Sequence, residues 1–274
     1  MIELPDGRRV HNVISSFTEE GYERYGKVFV DSFLERWPKT ARLTVFYEGK
    51  DFPFTPGMCW IPIEEVEHLV GFFKALNFPL MHGLVNDKYN IQFDARMARK
   101  AFMQMHAMKQ WGGKVFWLDA DTFTHADVPE SFLDEMLPAG KFCCYLGRDD
   151  WCYTESGFIG FNAEHERAKR FYSNYVNIFL SGVIFTQPGW HDCYGFDAVR
   201  KIVGNGPEFV NLAAGLPYGT MAPFVNTSLG RYMDHRKGQR KGAESPLDDL
   251  VVMRDEPYWV RQSEPTPHAK LATA

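Results

Sequence analysis

The 274-residue chain has no apolar run approaching the roughly 20 residues that a membrane-spanning helix needs. Its start, Met1-Ile2-Glu3-Leu4-Pro5-Asp6-Gly7, lacks the charged-then-apolar pattern of a leader. Positive charge is not in excess: 30 Lys and Arg against 35 Asp and Glu give a net charge of −5. That balance excludes a global attraction to nucleic acid or anionic membrane, so any basic function must be local. The five cysteines (Cys59, Cys143, Cys144, Cys152, Cys193) are odd in number and lack zinc spacing. Cys143-Cys144 lies in an apolar run and reads as buried thiols, which fits a reducing compartment. No internal repeat or linker interrupts the chain. Together these absences imply a soluble, cytoplasmic protein.

What is present argues for a packed globule. The hydrophobic fraction is 45%, with 23 Phe, 12 Tyr and 7 Trp, enough for one large core or two small ones sharing a cleft. His11 to Phe17 reads as a strand, followed by Thr18 as a helix N-cap with Glu19 and Glu20 in the first turn. Tyr22, Tyr25, Phe29, Phe33 and Trp37 follow at helical spacing, and Pro38 marks the stop. Arg42 to Tyr47 predicts a second strand and Cys59 to Ile63 a third. The third leads into a helix carrying Val66, Leu69, Val70, Phe73 and Leu76. A further helix, capped at Asp94 and closed at Gly112-Gly113, bears Ala98, Phe102, Met105 and Met108. Strands follow at 115–118, 141–147 and 153–162, and Asn162 reads as the cap of a helix bearing Ala168, Phe171, Tyr172, Tyr175 and Phe179. This rhythm predicts an α/β fold with a mixed, mostly parallel sheet and helices on both faces. From Gly204 onward the pattern loosens, and the last 18 or so residues read as a mobile tail.

In such sheets ligands sit beyond the carboxyl ends of the strands. Phe17-Thr18, Tyr47-Glu48 and Asp119-Asp121 occupy those ends. Val115-Phe116-Trp117-Leu118 is an apolar strand running into Asp119-Ala120-Asp121, two carboxylates on one side of the strand about 7 Å apart. Their repulsion is relieved by a shared divalent cation, or, in the plainer reading, by solvent at an ordinary Asx turn. Over a hundred residues later, Tyr232-Met233-Asp234-His235-Arg236-Lys237-Gly238-Gln239-Arg240-Lys241 offers an imidazole to complete the site, moving the preference from Mg²⁺ towards Mn²⁺. Gly238 permits close backbone approach to an anion, and Lys241 would neutralise it; a solvated basic loop is the alternative. Arg96, Arg99 and Lys100 crowd the first turns of a helix, against the dipole preference, either for solubility or to reach a phosphate or base. Trp190-His191-Asp192 bunches polar and aromatic groups in a turn, and Tyr153 to Asn162 carries two glycines suited to close ligand approach.

Trp117-Leu118-Asp119-Ala120-Asp121-Thr122 resembles the Asp-x-Asp strand of sugar-nucleotide-dependent glycosyltransferases of the GT-A fold, which is Rossmann-like. His235-x-x-Gly238-x-x-Lys241 resembles the signature of the glycogenin and lipooligosaccharide galactosyltransferase family. Trp190-His191-Asp192 is similar to the Trp-His-Asp-Glu of the blood-group A/B and α-1,3-galactosyl transferases. The resemblance implies one GT-A domain over residues 1–255, with a tail over 256–274. It implies Mn²⁺ (or Mg²⁺) on Asp119, Asp121 and His235, with Gly238 and Lys241 on the diphosphate. The base of a nucleoside-diphosphate sugar would lie near Phe17, Thr18 and Glu48, with Arg96 and Lys100 as further donor-binding residues. Transfer of a hexose from a UDP-sugar to a glycan, lipid-linked or other hydroxyl acceptor, with retention, is the implied activity. Two departures stand out: Cys193 replaces the glutamate after Trp-His-Asp, and Glu155 stands where the glycogenin-like family tends to have Asn. Asp192 is then the first candidate for the carboxylate at the anomeric carbon and Glu155 the second, with His191 beside them; Trp190 and Trp151 are candidates to stack on sugars.

Three alternatives remain. A sugar-nucleotide pyrophosphorylase needs a glycine- and arginine-rich loop after the first strand, which Ser15 to Glu20 lacks. A transferase acting on modified bases of a DNA acceptor would use the Arg231 to Lys241 loop and is less favoured. A catalytically silent nucleotide-sugar-binding protein is compatible with Cys193.

Overall fold

The computed structural model of the chain describes residues 9–50, 55–76, 85–86, 91–92, 95–148 and 152–237. The first half forms β1 (His11–Thr18), α1 (Glu19–Gly21), α2 (Lys27–Arg36), β2 (Ala41–Glu48), β3 (Cys59–Pro62), α3 (Leu69–Leu76), β4 (Val85–Asn86), β5 (Ile91–Gln92), α4 (Arg99–Trp111) and β6 (Lys114–Leu118). The second half forms β7 (Thr122–Thr124), α5 (Phe132–Met136), β8 (Cys143–Leu146), β9 (Glu155–Asn162), α6 (Ala168–Leu180), α7 (Asp192–Val203), β10 (Phe209–Asn211), α8 (Pro223–Asn226) and β11 (Met233–His235). Seven strands make one sheet in the order β10-β8-β9-β6-β1-β2-β3. Strand β9 runs antiparallel to both its neighbours, and every other pairing in this sheet is parallel. The mixed, mostly parallel α/β sheet expected from the sequence is therefore the one observed.

Strands buried on both faces need apolar residues in both phases, as Val115-Phe116-Trp117-Leu118 of β6 and Val13-Ile14 of β1 supply. Ile14, Phe46, Val115 and Trp117 enter one layer with residues of α3, α4, α6 and α7. Val13, Val45, Tyr47, Phe116 and Leu118 enter the other, with residues of α2, α5 and α8. Helix α4 is buried from Ala101 to Met108, polar residues included, because it packs against both the sheet and α6. It ends at Gly112, whose φ of 63° suits a residue without a side chain. Among the described residues, no helix is long and apolar enough to cross a membrane.

Several local expectations differ from the structure. The stretch after β3 opens with a 3₁₀ turn at Ile63–Glu65, and His68 adopts a φ of 64° before α3 begins at Leu69. That break resets the helical phase, so Phe72 is buried and Val70 is 36% exposed. Asn162 does not cap α6; its side chain accepts from the Glu164 amide at 3.1 Å, and the helix starts six residues later. Trp190, offered as a sugar platform, is buried with its edge on Phe185 at 5.3 Å. Asp94, Trp151 and the tail over 256–274 lie outside the described residues. Helix α7 was not anticipated.

Phe171 is fully buried, with the rings of Phe142, Phe161, Tyr175 and Phe196 between 5.3 and 5.7 Å away. Its replacement by alanine leaves a large cavity in the layer under α6, and urea unfolding should register a loss of about 3–5 kcal/mol.

Candidate active site

The parallel register of β1 and β2 sets Thr18 beside Glu48 at the carboxyl edge of the sheet. Thr18 caps the following helix by accepting the Gly21 amide at 3.0 Å, as its sequence context predicts. A π-helical turn at Tyr22–Gly26 follows. Phe17, Thr18, Arg24, Tyr25, Glu48, Arg99, Lys100, Trp117, Asp119, Asp121 and Asp192 line a cavity of about 500 Å³ over this edge.

The two acids do not converge by strand alternation, as expected, but through a turn. Strand β6 stops at Leu118, whose carbonyl is held by Ser15 Oγ at 2.6 Å. The Asp119 amide donates to Gly157 O, and the Thr122 amide donates back to Asp119 O at 3.0 Å. Strand β7 then leaves the main sheet and pairs antiparallel with β11, His235 opposite Thr122. The Arg236 amide extends this ribbon by donating to Asp121 O at 2.9 Å. One oxygen each from Asp119 and Asp121 and one nitrogen of His235 consequently lie within 4.8 Å of one another. Nε2 of His235 is 2.9 Å from Asp121 Oδ1 and 3.4 Å from Asp119 Oδ2.

On the far edge of the imidazole, Nδ1 is 2.8 Å from Glu155 Oε1. Glu155 is 1% exposed; it also receives the Phe224 amide at 3.3 Å and the Lys237 ammonium at 2.6 Å. The expectation that Glu155 faces a sugar is not met, because its carboxylate lies behind His235 and does not line the cavity. Asp192 does line it, from the first turn of α7, where the helix dipole favours a carboxylate. Its Oδ2 is buried and faces the Lys100 ammonium at 3.3 Å. Lys100 reaches Asp119 Oδ1 at 2.7 Å, the Ser156 carbonyl at 3.0 Å and the face of Trp117. It neutralises two acids at once, a role that its place among helix-start cations did not reveal.

Burial works against every charge here, and the partners outweigh it. Desolvation would strip His235 of its proton, but Asp121, Asp119 and Glu155 hold its pKa well above the ordinary value. Burial likewise pushes the Asp119 carboxyl up, and Lys100 followed by His235 brings it well below the usual range. Glu155 is lowered to about 2 by His235 and Lys237, against its own burial. Lys100 is desolvated too, yet Asp119 and Asp192 keep it above its usual value.

The donor set fits a divalent cation. Four carboxylates (Asp119, Asp121, Glu155, Asp192) meet two ammonium groups (Lys100, Lys237), so a neutral imidazole leaves two negative charges in the cluster. Two carboxylates and an imidazole nitrogen are ligand types that Mn²⁺ accepts.

Other expected residues fall elsewhere. His191 is half-buried at the head of α7, its ring against Tyr194, and does not line the cavity. Arg99 is spent on Glu48 through two contacts of 2.5 and 3.0 Å. The Arg96 side chain, Gly238 and Lys241 lie outside the described residues. Arg24, Tyr25 and Lys237 were not singled out by sequence; Lys237 reaches Glu155 from a tight turn just after β11, its amide donating to His235 O at 3.0 Å.

A scan against protein-family models finds no match, and a search of curated protein sequences finds none either. Among solved structures, the fold is similar to that of WbbM, a bifunctional glycosyltransferase in its apo form. The TM-score is 0.53 and the identity 13%, over 86% of this chain and 47% of that one. The chain thus spans about half the length of WbbM. Weaker likenesses join it to mouse xyloside xylosyltransferase 1 (TM-score 0.47, 13% identity, 74% of this chain and 84% of that one). A glycosyltransferase involved in glycosylation of the major capsid of PBCV-1 gives a TM-score of 0.46 at 10% identity, over 84% and 96% of the two chains. The shared architecture is the GT-A fold.

Removing the Lys100 ammonium leaves Asp119 and Asp192 desolvated without their common cation. Lys100→Met, of similar length, should lower stability by on the order of 3 kcal/mol in urea unfolding at neutral pH with EDTA present.

Proposed function

We propose that this chain is a metal-dependent glycosyltransferase that moves a hexose from a nucleoside-diphosphate sugar, UDP in the first place, to an acceptor hydroxyl with retention. The observation that carries the reading is the meeting of Asp119, Asp121 and His235 beside a cavity that Asp192 also faces. The GT-A fold and the order of the three sequence motifs support it.

In this reading Asp119, Asp121 and His235 hold Mn²⁺ (or Mg²⁺), which, when bound, stabilises the charge left on the departing diphosphate without proton transfer. Phe17, Thr18 and Glu48 line the end of the cavity suited to the base and ribose. Gly238 and Lys241 stay in the proposal on the strength of their motif alone. As the anomeric carbon–oxygen bond breaks, its electron pair goes to the diphosphate and the sugar becomes oxocarbenium-like. Asp192, which lines the cavity, supplies the facing negative charge. The acceptor oxygen then bonds to that carbon, and its proton passes to the departing diphosphate oxygen. Lys100, 3.3 Å from Asp192 Oδ2, orients that carboxylate across the site.

A thermal-shift panel of nucleoside diphosphates and their sugars, with and without Mn²⁺, tests the reading. Ligand at about 100 times its dissociation constant adds about 2.7 kcal/mol. Asp121→Ala should abolish the metal-dependent part of that shift; an unchanged shift counts directly against the assignment.

Turnover separates the role of Asp192 from mere packing. Asp192→Asn keeps the shape and should lower kcat for transfer or donor hydrolysis by about 10² or more, with the donor KM little altered. A silent binding protein would bind the donor and show no turnover at all.

A further inference from the structure

We propose that Glu155 is a positioning residue, whose carboxylate accepts a hydrogen bond from Nδ1–H of His235, keeping the proton on that nitrogen and presenting a bare Nε2 to the cation shared with Asp119 and Asp121. This rests on the metal reading above and deepens it.

An imidazole can ligate a metal only through an unprotonated nitrogen, and the hydrogen bond made by the other nitrogen decides which one is bare. Both edges of the His235 ring face carboxylates: Glu155 Oε1 lies 2.8 Å from Nδ1, and Asp121 Oδ1 and Asp119 Oδ2 lie 2.9 and 3.4 Å from Nε2; a cation held by Asp119 and Asp121 would occupy the Nε2 side and leave Glu155 as the partner of Nδ1–H. Glu155 is itself held by the Phe224 amide on Oε2 and by Lys237 on Oε1. The ring has little room to rotate. A Cβ on Gly157 would stand 2.5 Å from Nδ1 and 2.8 Å from Glu155 Oε1, and the Phe224 ring lies 5.2 Å away. Gly157 therefore lets β9 pass directly against the imidazole.

The choice of a carboxylate is the informative part. A carboxylate only accepts, so it satisfies the tautomer with hydrogen on Nδ1 and repels the other. An amide at the same place would also offer NH₂ to Nδ1 and so stabilise the tautomer with hydrogen on Nε2, which cannot ligate. Glu155 thus acts on the cation through His235, while Asp192 faces the cavity.

Full-length wild type, Glu155→Gln and Glu155→Asp, titrated with Mn²⁺ alone by calorimetry, provide the test. Glu155→Gln should weaken the ion by about 10–100-fold, and Glu155→Asp should recover part of the loss. In the Mg²⁺-loaded wild type, the ¹⁵N spectrum of His235 should show Nδ1 protonated and Nε2 bare, a readout that does not depend on any variant folding. Equal Mn²⁺ affinity in wild type and Glu155→Gln, or a protonated Nε2 in the Mg²⁺-loaded wild type, overturns this inference alone. A wild type that takes up no Mn²⁺ overturns the metal reading, and this inference with it.

Discussion

The pairing of β7 with β11 is the constraint on which the rest depends. Three residues from each side suffice to carry an imidazole across 114 positions of sequence to within hydrogen-bonding distance of Asp121. A ribbon this short has little stability of its own. It is held because Met233 and Phe123 are buried in the core layer or beside it, and because Trp37 and Ser32 of the α2 region bond to Thr124. The turn before it is pinned by β1 through Ser15 and by β9 through Gly157. The position of the cluster is set by the anchoring of β7 and β11 on the α2 region, β1 and β9.

Concentrating this much charge in a desolvated region is unfavourable unless each group has a partner. The cluster meets that condition by cross-connection: Lys100 serves Asp119 and Asp192, His235 serves Asp121, Asp119 and Glu155, and Lys237 closes on Glu155. A protein selected for stability alone would fill the space with apolar residues. The cluster stands next to a cavity at the carboxyl edge of the sheet, the place where ligands bind in such folds.

Much of the fold was legible because strands β1, β2 and β6 and helices α4 and α6 carry long, unambiguous apolar patterns. Helix α7 was hidden because its buried face is Cys193, Gly195, Phe196, Val199 and Val203, and a glycine one turn in reads as loop. Gly195 is there because it sits against Phe179 and Ile178 of α6, a close helix approach that no local signal announces. The phase of α3 was lost at His68, where one residue in the left-handed region breaks the periodicity.

In the site, residue types and their order along the chain were enough to single out Asp119, Asp121 and His235, because carboxylates and imidazole are the ligand types a divalent cation takes. The sequence also marked Asp192 and Glu155 as the carboxylates of interest, but it could not tell them apart. Only the tertiary structure turns one towards the cavity and the other behind the imidazole. Chemistry is a property of side-chain type and can be read one residue at a time. The direction in which a carboxylate points depends on packing between elements distant in sequence, here β9, α8 and β11 around Glu155, and that is decided when the chain folds.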